Sequence, residues 1–101
     1  MITRVDRIVL TAPRRDLASQ AWQRLFDAQL VREDRVPCLA ARRSVLRLGD
    51  SEIELLEPDG IGITAQHVSR SRTSIFAVGL AVADLAAMQA DLDARAIHHV
   101  R

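Results

Sequence analysis

The chain of 101 residues has no lysine and no tyrosine, and only one cysteine, one tryptophan and two phenylalanines. Each scarcity removes a class of function. A lone Cys38 cannot form an intrachain disulfide framework. It suits a reducing, cytoplasmic setting and reads as a small, semi-buried strand residue. Trp22, Phe26 and Phe76 are too few to form a platform for stacked bases. All 14 basic residues are arginines scattered along the chain, and the net charge is +1. The nearest approach to a basic patch, Arg42, Arg43 and Arg47, is too small for a nucleic-acid footprint. No segment approaches the ~20 apolar residues of a membrane-spanning helix, and the opening MITRVDR lacks the apolar run of a secretory signal. What is present is an ordinary globular composition, 49% hydrophobic and 27% charged, at a length suited to one domain.

Hydrophobic periodicity divides this domain into strands and helices. Val5 to Ala12 alternates as a strand, with Ile8, Leu10 and Ala12 on one face and Arg7, Val9 and Thr11 on the other. A helix follows Pro13. Asp16 is a candidate N-cap, Ala18, Ala21, Trp22 and Leu25 fall at helical spacing with Phe26 widening the stripe, and Asp27 closes it. Three short strands come next. Gln29 to Asp34 leads into a weak one around Val36 to Ala40, and Ser44 to Leu48 and Glu52 to Glu57 are joined at Gly49-Asp50, a glycine-bearing turn. Pro58-Asp59-Gly60 ends the third. A polar, Gly- and Ser-containing linker carries His67, read as a surface histidine. The pattern then restarts with a strand from Ser74 to Val82. Asp84 caps a helix reaching about Arg95, with Leu85, Met88 and Leu92 on one face, and Ile97 to Arg101 begins another strand.

Arg7 to Ala12 matches Ala77 to Val82 at a constant offset, and both segments run into an amphipathic helix, the mark of an internal duplication. The segments DRIVLTAPRRDLASQAWQRLF, RSVLRLGDSEIELLEPDG and FAVGLAVADLAAMQADLDARAI resemble the vicinal-oxygen-chelate superfamily of glyoxalases, epimerases and extradiol dioxygenases. The resemblance implies an α+β fold in which a βαβββ module is repeated. Residues 1–59 would form the complete first module, 60–72 a linker, and 73–101 a second module incomplete at βαβ. An open sheet of this kind implies self-association, a dimer that completes the sheet.

The resemblance also implies a divalent metal on the concave face of the sheet, held by side chains from first and last strands, often His and Glu. Glu54 stands at one such position, as metal ligand and as the one catalytic residue that carries over. Arg7 and Ala77 stand where histidines are usual, so the metal site is degraded. If an enzyme, the protein would be a lyase, isomerase or oxidoreductase of this superfamily acting on a small metabolite. Alternation alone, without the resemblance, gathers Arg7, Arg43, Arg47 and Glu54 on one face. Besides simple solvent exposure, two readings follow. Arg7 and Glu54 form an ion pair, because a partly buried charge needs a partner, or Arg7, Arg43 and Arg47 hold an anionic small molecule through their guanidinium groups. Ala77, Gly79 and Ala81 line the same side, leaving room for a ligand or for a close backbone. His98 and His99, adjacent in a strand, would face opposite ways. No serine elbow or phosphate-binding glycine loop is present. The competing class is a non-catalytic binding or oligomerisation module.

Overall fold

The computed structural model describes residues 2–97. Its strands are β1 (Ile2–Thr11), β2 (Gln29–Val36), β3 (Ala41–Leu48), β4 (Ser51–Pro58) and β5 (Ser74–Val82). Its helices are α1 (Arg15–Phe26), α2 (Ile63–Ser71) and α3 (Leu85–Ala94). The strands form one open sheet in the order β2-β3-β4-β1-β5. β1 and β4 run parallel, and every other pair is antiparallel. This is an α+β fold: one complete βαβββ module with the β5-α3 pair added at the β1 edge.

The alternation that predicted the strand faces also fixes the core. Leu46, Ile53 and Leu55 are buried against Ala28, and Ile8, Leu10, Ala18, Trp22 and Leu48 pack around them. Thus the helix side of the sheet is apolar, as the period-2 pattern requires. Burial of this cluster under α1 stabilises the first module at about 25 cal/mol per Å2 of apolar surface removed from water. α1 buries a narrower stripe than its spacing predicts. Leu25 and Phe26 remain exposed, and the Phe26 ring meets Trp22 with centroids 5.0 Å apart.

Several boundaries differ from the sequence reading. β1 begins at Ile2 rather than Val5. α1 starts at Arg15, and Asp16 sits in its first turn, where a carboxylate favours the exposed N–H groups, rather than at the cap. The strand expected at 36–40 lies earlier, at Gln29–Val36, and Pro37–Leu39 is a 3-10 turn. Pro37 has no N–H to give to a ladder, which explains the early stop. Cys38, on this turn, is exposed rather than semi-buried in a strand. The segment read as linker contains α2, held by Thr64 Oγ1 donating to the Leu39 carbonyl at 2.7 Å. Asp84 does cap α3, its carboxylate accepting the Ala87 N–H at 3.0 Å. The strand expected at 97–101, with His98 and His99, lies outside the described residues apart from Ile97.

β1 and β5 lie side by side in an informative register. Ile8 pairs with Val78, an offset of 78 − 8 = 70, and the strand match in the sequence has the same offset, 77 − 7 = 70. A twofold axis through this pair would exchange the two strands. Three bulges interrupt the ladder, where Thr3, Asp6 and Phe76 are each the extra residue.

Candidate functional site

The site is built on the face of the sheet opposite α1. In-register neighbours on adjacent strands point the same way, so two lateral rows can be traced. One runs Val45–Glu54–Val9–Ala77 and the next Arg47–Glu52–Arg7–Gly79. Alternation therefore places Arg7, Arg43, Arg47 and Glu54 on one face, as expected. The structure brings only three of them into contact.

Glu54 is the centre, only 4% exposed. Its Oε2 accepts from Arg7 Nη1 at 2.6 Å and its Oε1 accepts from Arg43 Nη1 at 3.1 Å. Arg43 in turn donates to both carboxylate oxygens of Asp34, Nε to Oδ1 at 2.8 Å and Nη2 to Oδ2 at 2.7 Å. That fork-on-fork geometry is the strongest form of the pair. Arg7 Nε lies 3.4 Å from Asp6. Hydrogen bonds to Asp34 and Glu54 hold the Arg43 guanidinium well above its ordinary range, outweighing burial. Burial lowers the pKa of Arg7, but Glu54 and Asp6 together raise it further, so it too stays charged. Asp34 is pulled down to about 2, chiefly by its hydrogen bonds with Arg43.

Gly79 makes room for this arrangement. A Cβ there would fall 2.3 Å from Arg7 Cγ and 2.6 Å from Cδ. Arg7 lies flat over bare β5 backbone and reaches back across β1 to Glu54.

Arg47 stands apart from the cluster, exposed and without a hydrogen-bond or ion-pair partner among the described residues. It lines a cavity of about 740 Å3 with Arg4, Asp6, Arg7, Gly49, Asp50, Ser51 and Glu52. Arg4 and Asp6 were missed as site residues because period-2 counting separates Arg4 from Arg7. The bulge at Asp6 restores the phase and turns all three to one side. Asp34 was missed because its segment read as a lead-in, whereas the β2 register sets it opposite Arg43. Arg42, adjacent to Arg43, faces away toward Asp59, which also pairs with Arg35 at 2.7 Å. The small basic patch is dispersed.

His67 is half-buried rather than a free surface residue. Thr11 Oγ1 donates its one proton to the Arg72 carbonyl at 2.9 Å, so the 2.8 Å contact with His67 Nδ1 needs the proton on the histidine. The ring also meets Phe76 edge-on at 5.1 Å. These bonds tie α2 down over the far end of the same face.

A metal does not fit the residues present. Both oxygens of Glu54 are taken by guanidinium groups. Among the described residues no group of three or more His, Cys, Asp or Glu is placed to hold an ion, and a divalent site needs several convergent donors.

No protein-family model and no curated protein matches the chain. Solved structures do. Mycobacterium tuberculosis methylmalonyl-CoA epimerase superposes with TM-score 0.89 at 20% identity, over 99% of this chain and 69% of that one. A Streptomyces coelicolor methylmalonyl-CoA epimerase in complex with 2-nitronate-propionyl-CoA gives 0.87 at 17%, over 100% and 77%. A methylmalonyl-CoA epimerase in complex with methylmalonyl-CoA and ammonium gives 0.89 at 17%, over 100% and 75%. The fold is that of the methylmalonyl-CoA epimerases. At these identities the likeness is one of fold, and this chain spans about three quarters or less of the epimerases' length. The epimerase fold is thus combined here with an arginine-filled centre.

Proposed function

We propose that this chain is a metal-independent binding module on the epimerase fold, taking a small anionic metabolite on the concave face. One observation carries the reading: Arg7 and Arg43 occupy both oxygens of Glu54. A carboxylate so engaged is neither an open metal ligand nor an available base. The surrounding arginines retain donors toward the cavity, since a guanidinium offers five N–H groups and Arg7 uses two in the bonds described. Two of the similar epimerases were solved with coenzyme A derivatives, which is in keeping with an anionic ligand on this fold.

Calorimetric titration of metal-stripped protein tests the proposal. Manganese and zinc should show no stoichiometric binding. Succinate should bind, and Arg47→Ala should weaken that binding at least tenfold. One metal ion bound per chain, abolished by Glu54→Gln, would instead establish the metalloenzyme reading.

A second reading, an oligomerisation module, is favoured by β5. Among the described residues it is an edge strand, and Ile75, Val78 and Leu80 along it are exposed.

A further inference from the structure

The 740 Å3 cavity beside the ion cluster is lined by three cations, Arg4, Arg7 and Arg47, and three carboxylates, Asp6, Asp50 and Glu52. Arg7 pairs with both Asp6 and Glu54. Among the described residues the other four form no ion pair. Arg4 Nη1 donates to the main-chain carbonyl of Asp50 at 3.2 Å, not to a carboxylate. Arg47, Glu52 and the Asp50 side chain have no opposite charge within 4.0 Å among the described residues.

Arg47 and Glu52 are direct cross-strand partners on β3 and β4, and Glu52 is flanked on its other side by Arg7. Strands lie about 4.8 Å apart, so opposite charges directly across a pair are within reach of one another. Here neither arginine closes on Glu52. Arg7 is drawn away by Glu54 and Asp6, over the seat that Gly79 provides, and Arg47 stays open. The cavity therefore presents separated charges of both signs, open to solvent and not paired with one another among the described residues. A simple dianion would satisfy Arg4 and Arg47 but would set its second charge against Glu52 and Asp50.

We infer that this cavity binds a small zwitterion, with an anionic group on Arg47 and Arg4 and an ammonium group on Glu52 and Asp50. The inference rests on the proposed binding function and narrows its ligand class. The guanidinium groups match a carboxylate or phosphate fork. An ammonium, a compact point charge with three donors, suits the two carboxylates.

Three four-carbon probes separate the possibilities: succinate, 4-aminobutyrate and 1,4-diaminobutane, each titrated calorimetrically into the full chain. 4-Aminobutyrate should bind at least tenfold more tightly than the other two. Glu52→Gln should erase that preference by weakening 4-aminobutyrate and strengthening succinate. Arg47→Ala should weaken both. These side chains lie at the surface of the cavity, so the variants should keep the parent melting temperature. Succinate binding as tightly as 4-aminobutyrate, or unaffected by Glu52→Gln, would overturn the zwitterion while leaving the anion-binding function standing. Absence of binding by all three probes would overturn both.

Discussion

Arg7 and Gly79 illustrate how one residue's chemistry depends on another's lack of a side chain. Gly79 needs no special backbone angle. What it supplies is space, since any Cβ would collide with the middle of the Arg7 stem. Gly79→Ala should therefore cost about 1–3 kcal/mol, the range for an overpacked site. With Arg7→Ala already present the same change should be neutral or stabilise by roughly 0.4–1 kcal/mol, because alanine restricts the unfolded chain. A double-mutant cycle read by urea unfolding checks this, and additive effects would refute the seat. Asp34 supports a second prediction at this scale. Its carboxyl is depressed from 3.8 to about 2 by Arg43. A depressed acid contributes its full stability above the unfolded value and loses it as pH falls through the folded one. The contribution should thus fade between pH 4 and pH 2, and Asp34→Asn should flatten the urea midpoint across that window.

Among the elements, α1 and α3 show that amphipathic spacing and packing are separate matters. α1 sits on the buried cluster through Ala18 and Trp22. α3 is capped correctly by Asp84 yet buries no residue, and Leu85 is 63% exposed. Its persistence then rests on local terms, of which the cap is the clearest. Asp84→Ala should cost the helix about 1 kcal/mol, and amide exchange at Ala87 and the rest of the first turn should quicken. Exchange in β4 should stay unchanged, because no global contact is lost. A simultaneous slowdown or speed-up in β4 would show that α3 is coupled to the core. α2 makes the opposite point. Its sequence reads as linker, and its place is set by the Thr64–Leu39 and His67–Thr11 contacts made across the chain.

For the whole molecule, the open β5 edge is the principal unsatisfied feature among the described residues. An exposed apolar edge strand offers its backbone groups to another chain. We propose that a second copy of this chain covers it, completing the sheet. Sedimentation should show dimers at tens of micromolar protein, and Val78→Lys with Leu80→Lys should return the protein to monomer. A monomer throughout that concentration range would remove the proposal. No helix among the described residues is long and apolar enough to cross a membrane.

The sequence by itself determined the faces. Period-2 alternation placed Leu46, Ile53 and Leu55 in the core and Arg7, Arg43 and Glu54 together on the opposite side, because side-chain direction in a strand is a local property. It also located the Gly49-Asp50 turn, where Gly49 has φ 61°, and the Asp84 cap. The Arg7–Glu54 pair was one of two readings of that face, and tertiary structure decided for it and for the other charges that meet. Asp34 reaches Arg43 only through the β2–β3 register, and Arg4 and Asp6 join the face of Arg7 only through an extra residue in the β1–β5 ladder. Register and bulges belong to pairs of strands distant in sequence. So the arginine-filled centre and the mixed-charge cavity beside it are properties of the assembled sheet.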